Sequence, residues 1–429
     1  MKKKYRIILY TSIFLLCVVA SIILVVKKSN SVYEEESKPK VVKHKSMLSM
    51  NLEQTAGSGD YKTVTQSSWP TEGYKFNAEL SKCENGSTLS WDDTKKAVIV
   101  SGNLSDKCYV YFDIYQPTLA EYIKSQYTGT QGENNIYYHD SDLANGAGDN
   151  SYRYAGANPN NFVCFGTIES PCPIDNLYRI IGVFGENYHG ANGKQLVKLI
   201  KYDYMTTDEL GTDGDYSQTY KELGMDSTYK GTYGDGERIG VYYWNYKATG
   251  SATNTWSTSL LNKTNLNTNF INNIGTTWAN KIATVTWKVG GNTWANIGTK
   301  TSSVAYTNEI TNPVTTNTTD NATTYSAKIG LMYVSDYGFA ASPDAWTLTM
   351  SSYNNTTATN NNWMYMGLYE WTISRHADLS YRAFSVGIVG FVGYYDVFGN
   401  FGVRASFNLE SSVSYVSGSG SMSDPIVIN

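Results

Sequence analysis

The stretch from Thr372 to Asn408 reads TISRHADLSYRAFSVGIVGFVGYYDVFGNFGVRASFN. It holds no Lys, Glu, Gln, Met or Trp, although these five types make up about one residue in six of the chain. All of its residue types belong to the set encoded by codons ending in a pyrimidine, the set that arises when Asn codons are randomised at their adenines. Beneath it runs a regular frame: Ala383-Phe384, Val386, Gly390, Val392, Val397 and Gly402-Val403-Arg404. The positions between carry Gly, Ile, Val, Phe, Tyr, Asp and Asn. A regular frame with one codon-defined set between its members points to a binding face under diversification. The bland reading is that Phe384, Val386 and Ile388, spaced by two, are one buried strand.

Outward from this stretch, strands dominate. WMYMGLYEWTIS (Trp363 to Ser374) and IGLMYVSDYGFA (Ile329 to Ala340) read as strands on their apolar runs, and SVSYV with DPIVI as a closing pair turned at Gly418-Ser-Gly420. YRIIGVF (Tyr178 to Phe184) and QLVKLIKYDY (Gln195 to Tyr204) read as an antiparallel pair. Leu266, Phe270 and Ile274 recur every four residues, which puts them on one stripe of a helix. Thr276 to Thr324, rich in Thr and Asn and containing Gly290-Gly291, reads as exposed hairpins and loops. The sum is an α+β domain over residues 152–429, with 372–408 as its variable segment.

The rest of the 429 residues precedes that domain. Residues 1–28 hold a basic tip and an apolar run from Ile7 to Val26, long enough for a membrane-crossing helix. Lys27-Lys28 follows directly, with no small-residue cleavage site, so the run is expected to stay as a signal anchor with the bulk of the chain extracellular. Residues 29–70 read as a polar stalk, and 71–116 as a small β module with strands at Leu89/Trp91, Ala97 to Val100 and Tyr109 to Phe112. Residues 117–151 read as a connector. It has a short helix capped by Thr118, with Leu119, Tyr122 and Ile123 on one face, and then loop through Asn161. Beyond Cys17 the cysteines fall into two local couples, Cys83 with Cys108 and Cys164 with Cys172. Four cysteines allow three pairings, and structural disulfides fit an oxidising exterior better than a zinc site, for which no C-x2-C spacing exists.

The ordered set YRIIGVF, KLI, WSTSLLNKTNLNTNF, IGLMYVSDYGF, EWTISR, FGVRASFNL and SGSGSMSDPIVI resembles a bacterial C-type-lectin-like family with the fold of formylglycine-generating enzyme. The match covers about Tyr152 to Asn429. That family ends in W-L-R-S, a variable stretch and G-V-R-P-x-x-x-L. Trp371, Arg375, Gly402, Val403, Arg404 and Leu409 match this pattern, and Ala405 replaces the Pro. The small module is similar to a cysteine-bridged repeat found beside the anchor in surface proteins of gut Firmicutes.

Some relatives with this fold are the variable proteins of diversity-generating retroelements, some of which end close to the variable stretch. Here about twenty residues follow it. The resemblance implies a ligand-binding face at Gly387, Ile388, Val389, Phe391, Gly393, Tyr394, Tyr395, Asp396, Phe398, Gly399, Asn400 and Phe401. An earlier patch comprises His376, Asp378, Leu379, Ser380 and Tyr381. Trp371 and Arg404 are expected to hold the frame. The ligand would be a protein or glycan on another cell, phage or host surface. The alternative is an invariant adhesin or structural envelope protein.

The sequence offers little for catalysis. His44, His139, His189 and His376 are scattered, with no paired-His metal motif and no G-x-S-x-G elbow. No cysteine follows Cys172, whereas formylglycine-generating enzyme works through active-site cysteines. Neither an enzyme nor a cofactor is expected. Asp213-Gly-Asp215 and Asp235-Gly-Glu237 lack the remainder of a calcium loop, and Asp-Gly is a common turn. Trp278, Trp287, Trp294 and Trp363 read as core before they read as a sugar platform. Thirty-four basic against 38 acidic residues give a net charge of -4, which argues against nucleic acid as a partner.

Overall fold

The computed structural model describes residues 48–429 apart from 66–67, 71–72, 104, 186–192, 213–228, 233–238, 247–251, 314–322 and 355. The apolar run at 7–26, residues 29–47 and both acidic turns lie outside the described residues. Among the described residues no helix is long and apolar enough to cross a membrane. The chain divides into two units, residues 1–116 and 117–429.

In the first unit, strands β1 (Leu48–Glu53), β2 (Tyr61–Val64), β3 (Tyr74–Cys83) and β6 (Cys108–Ile114) make a sheet in the order β2-β1-β6-β3. Strands β4 (Thr88–Asp92) and β5 (Ala97–Ser101) form a separate hairpin. Alternate residues point inward, so Met50 faces Val110 and Leu52 faces Phe112 in the parallel β1-β6 register. Cys83 and Cys108 are disulfide-bonded at facing positions of β3 and β6. The stalk assignment is therefore corrected for 48–64. Polar neighbours hide its two inward apolar residues, and the span supplies two strands rather than a linker.

The second unit begins at Pro117, which corrects the connector. Helix α1 (Leu119–Ser125) starts with a capping box: Thr118 Oγ1 accepts the Glu121 N–H, and the Glu121 carboxylate accepts the Thr118 N–H. Strands β7 (Ile136–His139) and β8 (Ser151–Tyr154) replace the expected loop. They belong to a seven-stranded sheet with β9 (Phe162–Cys164), β10 (Leu177–Phe184), β11 (Leu196–Lys201), β15 (Ile329–Gly330) and β20 (Ser406–Asn408). Every residue of β10 and β11 is buried, the pattern of strands covered on both faces. Cys164 is bonded to Cys172.

A five-stranded sheet carries most of residues 372–408. It runs β12 (Val241–Tyr242), β19 (Phe401–Gly402), β16 (Glu370–Arg375), β17 (Arg382–Val386) and β18 (Val392–Asp396). The helical stretch from Leu261 buries Leu266 and Phe270, with Ile274 partly buried against the same core. Strands β21 (Tyr415–Ser417) and β22 (Val427–Ile428) close the chain as an antiparallel pair, and Gly418 and Gly420 take positive φ between them.

Three expectations fail in this unit. IGLMYVSDYGFA is a strand only at β15. From Val334 to Ala340 it is helix α2, which is buried on all sides and so shows no amphipathic period. Trp363 to Tyr369 is irregular, its backbone bonded by side chains such as Arg404 Nη2 to the Met364 carbonyl (2.6 Å). Residues 276–324 are not simply exposed loops, since strand β13 (Val285–Lys288) pairs with β14 (Thr324–Ala327) and Gly290-Gly291 is buried. A Cβ on Gly291 would sit 2.0 Å from the Arg375 carbonyl oxygen. The whole is a mixed α+β, strand-rich protein with two disulfides.

Candidate binding face

Strands β17 and β18 form an antiparallel hairpin in which Arg382 faces Asp396, Phe384 faces Tyr394 and Val386 faces Val392. β18 is the last strand of its sheet. At the hairpin tip the Gly387 N–H donates to the Phe391 carbonyl and the Gly390 N–H to that of Gly387, with Gly390 at φ 92°. Burial follows the frame. Ala383, Phe384, Val386, Gly390, Val392, Val397, Gly402, Val403 and Arg404 are all buried. Of the intervening positions, Val389 and Phe398 are exposed (42% and 50%). Ile388, Phe391, Tyr394, Tyr395, Asp396, Gly399, Asn400 and Phe401 are half-buried, and Ser385, Gly387 and Gly393 are buried.

The glycines separate in the same way. A Cβ on Gly390 would meet Thr359 Cγ2 at 2.4 Å and the Tyr353 carbonyl at 2.9 Å, and one on Gly402 would meet the buried Tyr204 ring at 2.7 Å. At Gly387 and Gly393 the nearest atoms, at 2.5 and 2.9 Å, belong to the half-buried ring of Phe391. Frame glycines thus press on fixed structure, and the others press on a neighbouring side chain that can turn away.

Two patches result, one at each end of the hairpin. Ile388, Val389 and Phe391 lie at the tip, where Tyr365 Oη and Tyr337 Oη bond the carbonyls of Ile388 and Gly390. At the other end, about 15 Å away along the strands, a cleft of about 710 Å³ is lined by Tyr369, Arg382, Tyr394, Tyr395, Asp396, Phe398, Gly399 and Phe401. Arg382 Nε donates to Asp396 Oδ1 at 2.9 Å across the strand pair. Tyr369 stacks on Phe401 (centroids 4.9 Å apart), and Tyr395 meets Phe401 edge-on at 5.1 Å. Tyr395 Oη donates to Tyr369 Oη at 3.2 Å. Burial, then that hydrogen bond, pushes the Tyr395 hydroxyl up to about 12, so it stays protonated near neutrality. Tyr394 borders the cleft beside Arg382, and its ring packs edge-on against Trp294 and His376.

The earlier patch splits. Asp378 is exposed, Leu379 and Ser380 are half-buried, and Tyr381 is exposed in the turn between β16 and β17. His376 is a correction, because its ring is buried, parallel to Phe384 at 5.7 Å, with Nδ1 accepting the Asp378 N–H. Burial holds its pKa below the usual range, so the ring is neutral and belongs to the frame. Asn254, a residue with no sequence signal, clamps this turn by donating to the carbonyls of His376, Leu379 and Arg382 at 2.7 to 3.0 Å. Sequence reading also missed Tyr369 and Arg382. The signal available for Arg382 was a cation in a stretch with few charges, fourteen positions before the carboxylate that it meets.

The frame is fastened below. Trp371 Nε1 donates to the Tyr242 carbonyl (2.8 Å), and the Arg404 guanidinium grips both oxygens of Glu370. Of the four tryptophans, Trp287 and Trp363 are core, with Nε1 bonded to the Ala327 and Tyr154 carbonyls. Trp278 and Trp294 pack against the core half-buried. Among the described residues no three His, Cys, Asp or Glu side chains are grouped to hold a metal ion. No family model matches the chain, and neither does any curated protein or solved structure.

Proposed function

We propose that residues 117–429 form a C-type-lectin-like binding domain that displays a diversified face for a non-covalent protein or glycan ligand, held outside the cell by the N-terminal anchor. The observation carrying this reading is the match between the frame read in the sequence and the burial of its members. Positions assigned to the frame by its regular apolar pattern are the buried ones, and the positions between them reach the surface except at Ser385 and at Gly387 and Gly393, whose nearest neighbour is Phe391. Such a division lets side chains change without disturbing the core. Aromatic rings fixed on strands give contact area at little cost in conformational entropy, and the Arg382–Asp396 pair adds polar recognition. Two disulfides fit an oxidising exterior.

The test is to sequence this gene across a bacterial population and compare codons 372 to 408 with their flanks. Substitutions confined to the intervening, adenine-derived positions are expected. A uniform sequence would remove diversification and leave a fixed adhesin or structural domain. Binding itself is read on cells and glycan arrays with Phe398→Ala. A variant that binds as well as the parent would place the ligand elsewhere.

A further inference from the structure

The interior of the second unit holds a charged cluster that the binding face does not use. Lys198 on β11 and Asp336 on α2 lie 138 residues apart in sequence, yet Nζ is 2.5 Å from Oδ2 and neither side chain is exposed. That carboxylate is the only hydrogen-bond acceptor of the Lys198 ammonium among the described residues. The remaining surroundings of Nζ are the rings of Tyr333, Trp287 and Phe184, with centroids 4.4, 5.2 and 5.9 Å away. The guanidinium of Arg153 stands 3.8 Å from Asp336 Oδ1 and is itself paired with Asp149 at 2.6 Å. Buried Glu309 accepts the Val334 and Ser335 N–H groups at the start of α2 and a bond from the Ser374 hydroxyl.

An ammonium and a carboxylate removed from water carry a large desolvation penalty, and transfer of one proton between them cancels both charges. Burial pulls the Lys198 amine below its ordinary range, against the pull of Asp336. Burial also holds Glu309 up at about 7, well above an ordinary carboxyl, which weakens its hold on Lys198 as an ammonium. Tertiary packing holds amine and carboxyl in contact, the condition under which an intramolecular reaction gains an effective molarity on the order of 10⁵ M or more.

We propose that the folded chain joins Lys198 and Asp336 through an intramolecular amide bond. The ammonium passes a proton to Oδ2, leaving a neutral amine beside a carboxylic acid. Nζ then attacks Cγ; a C–N bond forms, and the carbonyl electron pair moves onto Oδ1, where the Arg153 guanidinium faces the developing charge. Collapse restores the carbonyl at Oδ1 and breaks the bond from Cγ to Oδ2. Oδ2 departs as water with the transferred proton and a second one from nitrogen. One ammonium and one carboxylate become one amide and one water, with no oxidant or cofactor. The product ties β11 to α2 by a link that reducing agents cannot open.

The experiment is intact mass spectrometry of the full chain, purified, reduced and denatured, followed by tryptic mapping. The expected result is a mass lighter than the sequence by one water, with a branched peptide joining Lys198 to Asp336 and no cleavage after Lys198. Full sequence mass with normal cleavage at Lys198 would overturn the proposal. Loss of water without the branch, as a succinimide at an Asp-Gly turn would give, overturns it equally. Lys198→Met keeps an apolar stem among the three rings and leaves Arg153 to face Asp336. This variant is expected to show full sequence mass. If it still lost water together with a branch, the assigned pair would be wrong.

Discussion

Arg404 and Glu370 hold each other in a two-pronged ion pair, Nε to Oε1 at 2.8 Å and Nη2 to Oε2 at 2.9 Å, shut away from solvent. Between them in sequence lie residues 371–403, so one interaction ties the start of β16 to the end of the hairpin segment that follows it. Arg404→Met leaves the Glu370 carboxylate buried without its cation and is expected to cost about 3–5 kcal/mol in denaturant unfolding. The double variant Arg404→Met with Glu370→Leu should recover part of that loss, because no charge is then stranded.

The glycines of the hairpin should respond unequally. Gly390→Ala forces a Cβ onto Thr359 and the Tyr353 carbonyl at positive φ, and should lower stability by about 2–4 kcal/mol. Gly387→Ala meets only the Phe391 ring and should stay within about 1 kcal/mol of the parent. Thermal melts of both variants make the comparison.

Glu309 gives the second unit a pH signature. Its folded pKa, raised by burial to about 7 from an ordinary 4.5, means that the folded state binds its proton more tightly than the unfolded state. This contribution to stability is complete below pH 4.5 and lost as pH rises to about 7. It amounts to about 3 kcal/mol at most. Glu309→Gln should flatten the stability profile across that window and leave it unchanged in slope above it, as read by urea unfolding at several pH values.

Reduction should act on the two units separately. The Cys83–Cys108 bridge closes a span of 25 residues in a unit whose core rests on Met50, Leu52, Val110 and Phe112. Its loss is expected to cost about 3 kcal/mol by the loop-entropy relation. The first unit should therefore become protease-sensitive under dithiothreitol while the larger core of residues 117–429 persists.

Much of this was legible locally. The β10-β11 pair, the capped helix α1 and the closing β21-β22 turn each have their cause within a few residues. The frame within residues 372–408 was legible from its apolar and glycine positions, which are the buried ones, although burial does not alternate along β17 or β18. Helix α2 was misread because all of its residues are buried and no polar face marks its turns. Strands β7 and β8 were missed among Gly, Asn and Asp: they pair with each other across that polar loop, and β8 is joined to the sheet by β10. The cluster of Lys198, Arg153, Glu309 and Asp336 was invisible for the same cause: its members come from four separate stretches of chain, and only the fold gives them a common dielectric. In the cleft, Tyr369 was passed over because it precedes the 372–408 stretch and Arg382 because it falls between the two expected patches, and packing alone brings them beside Tyr395, Asp396 and Phe401.

The place of β18 at the end of its sheet bears on how this protein can change over generations. A central strand has two neighbours whose packing constrains every replacement, so inherited changes there must be matched on both sides. The last strand has one. A replacement along Val392 to Asp396 therefore has one paired strand to satisfy, and an inherited change there needs fewer matching changes than one in a central strand.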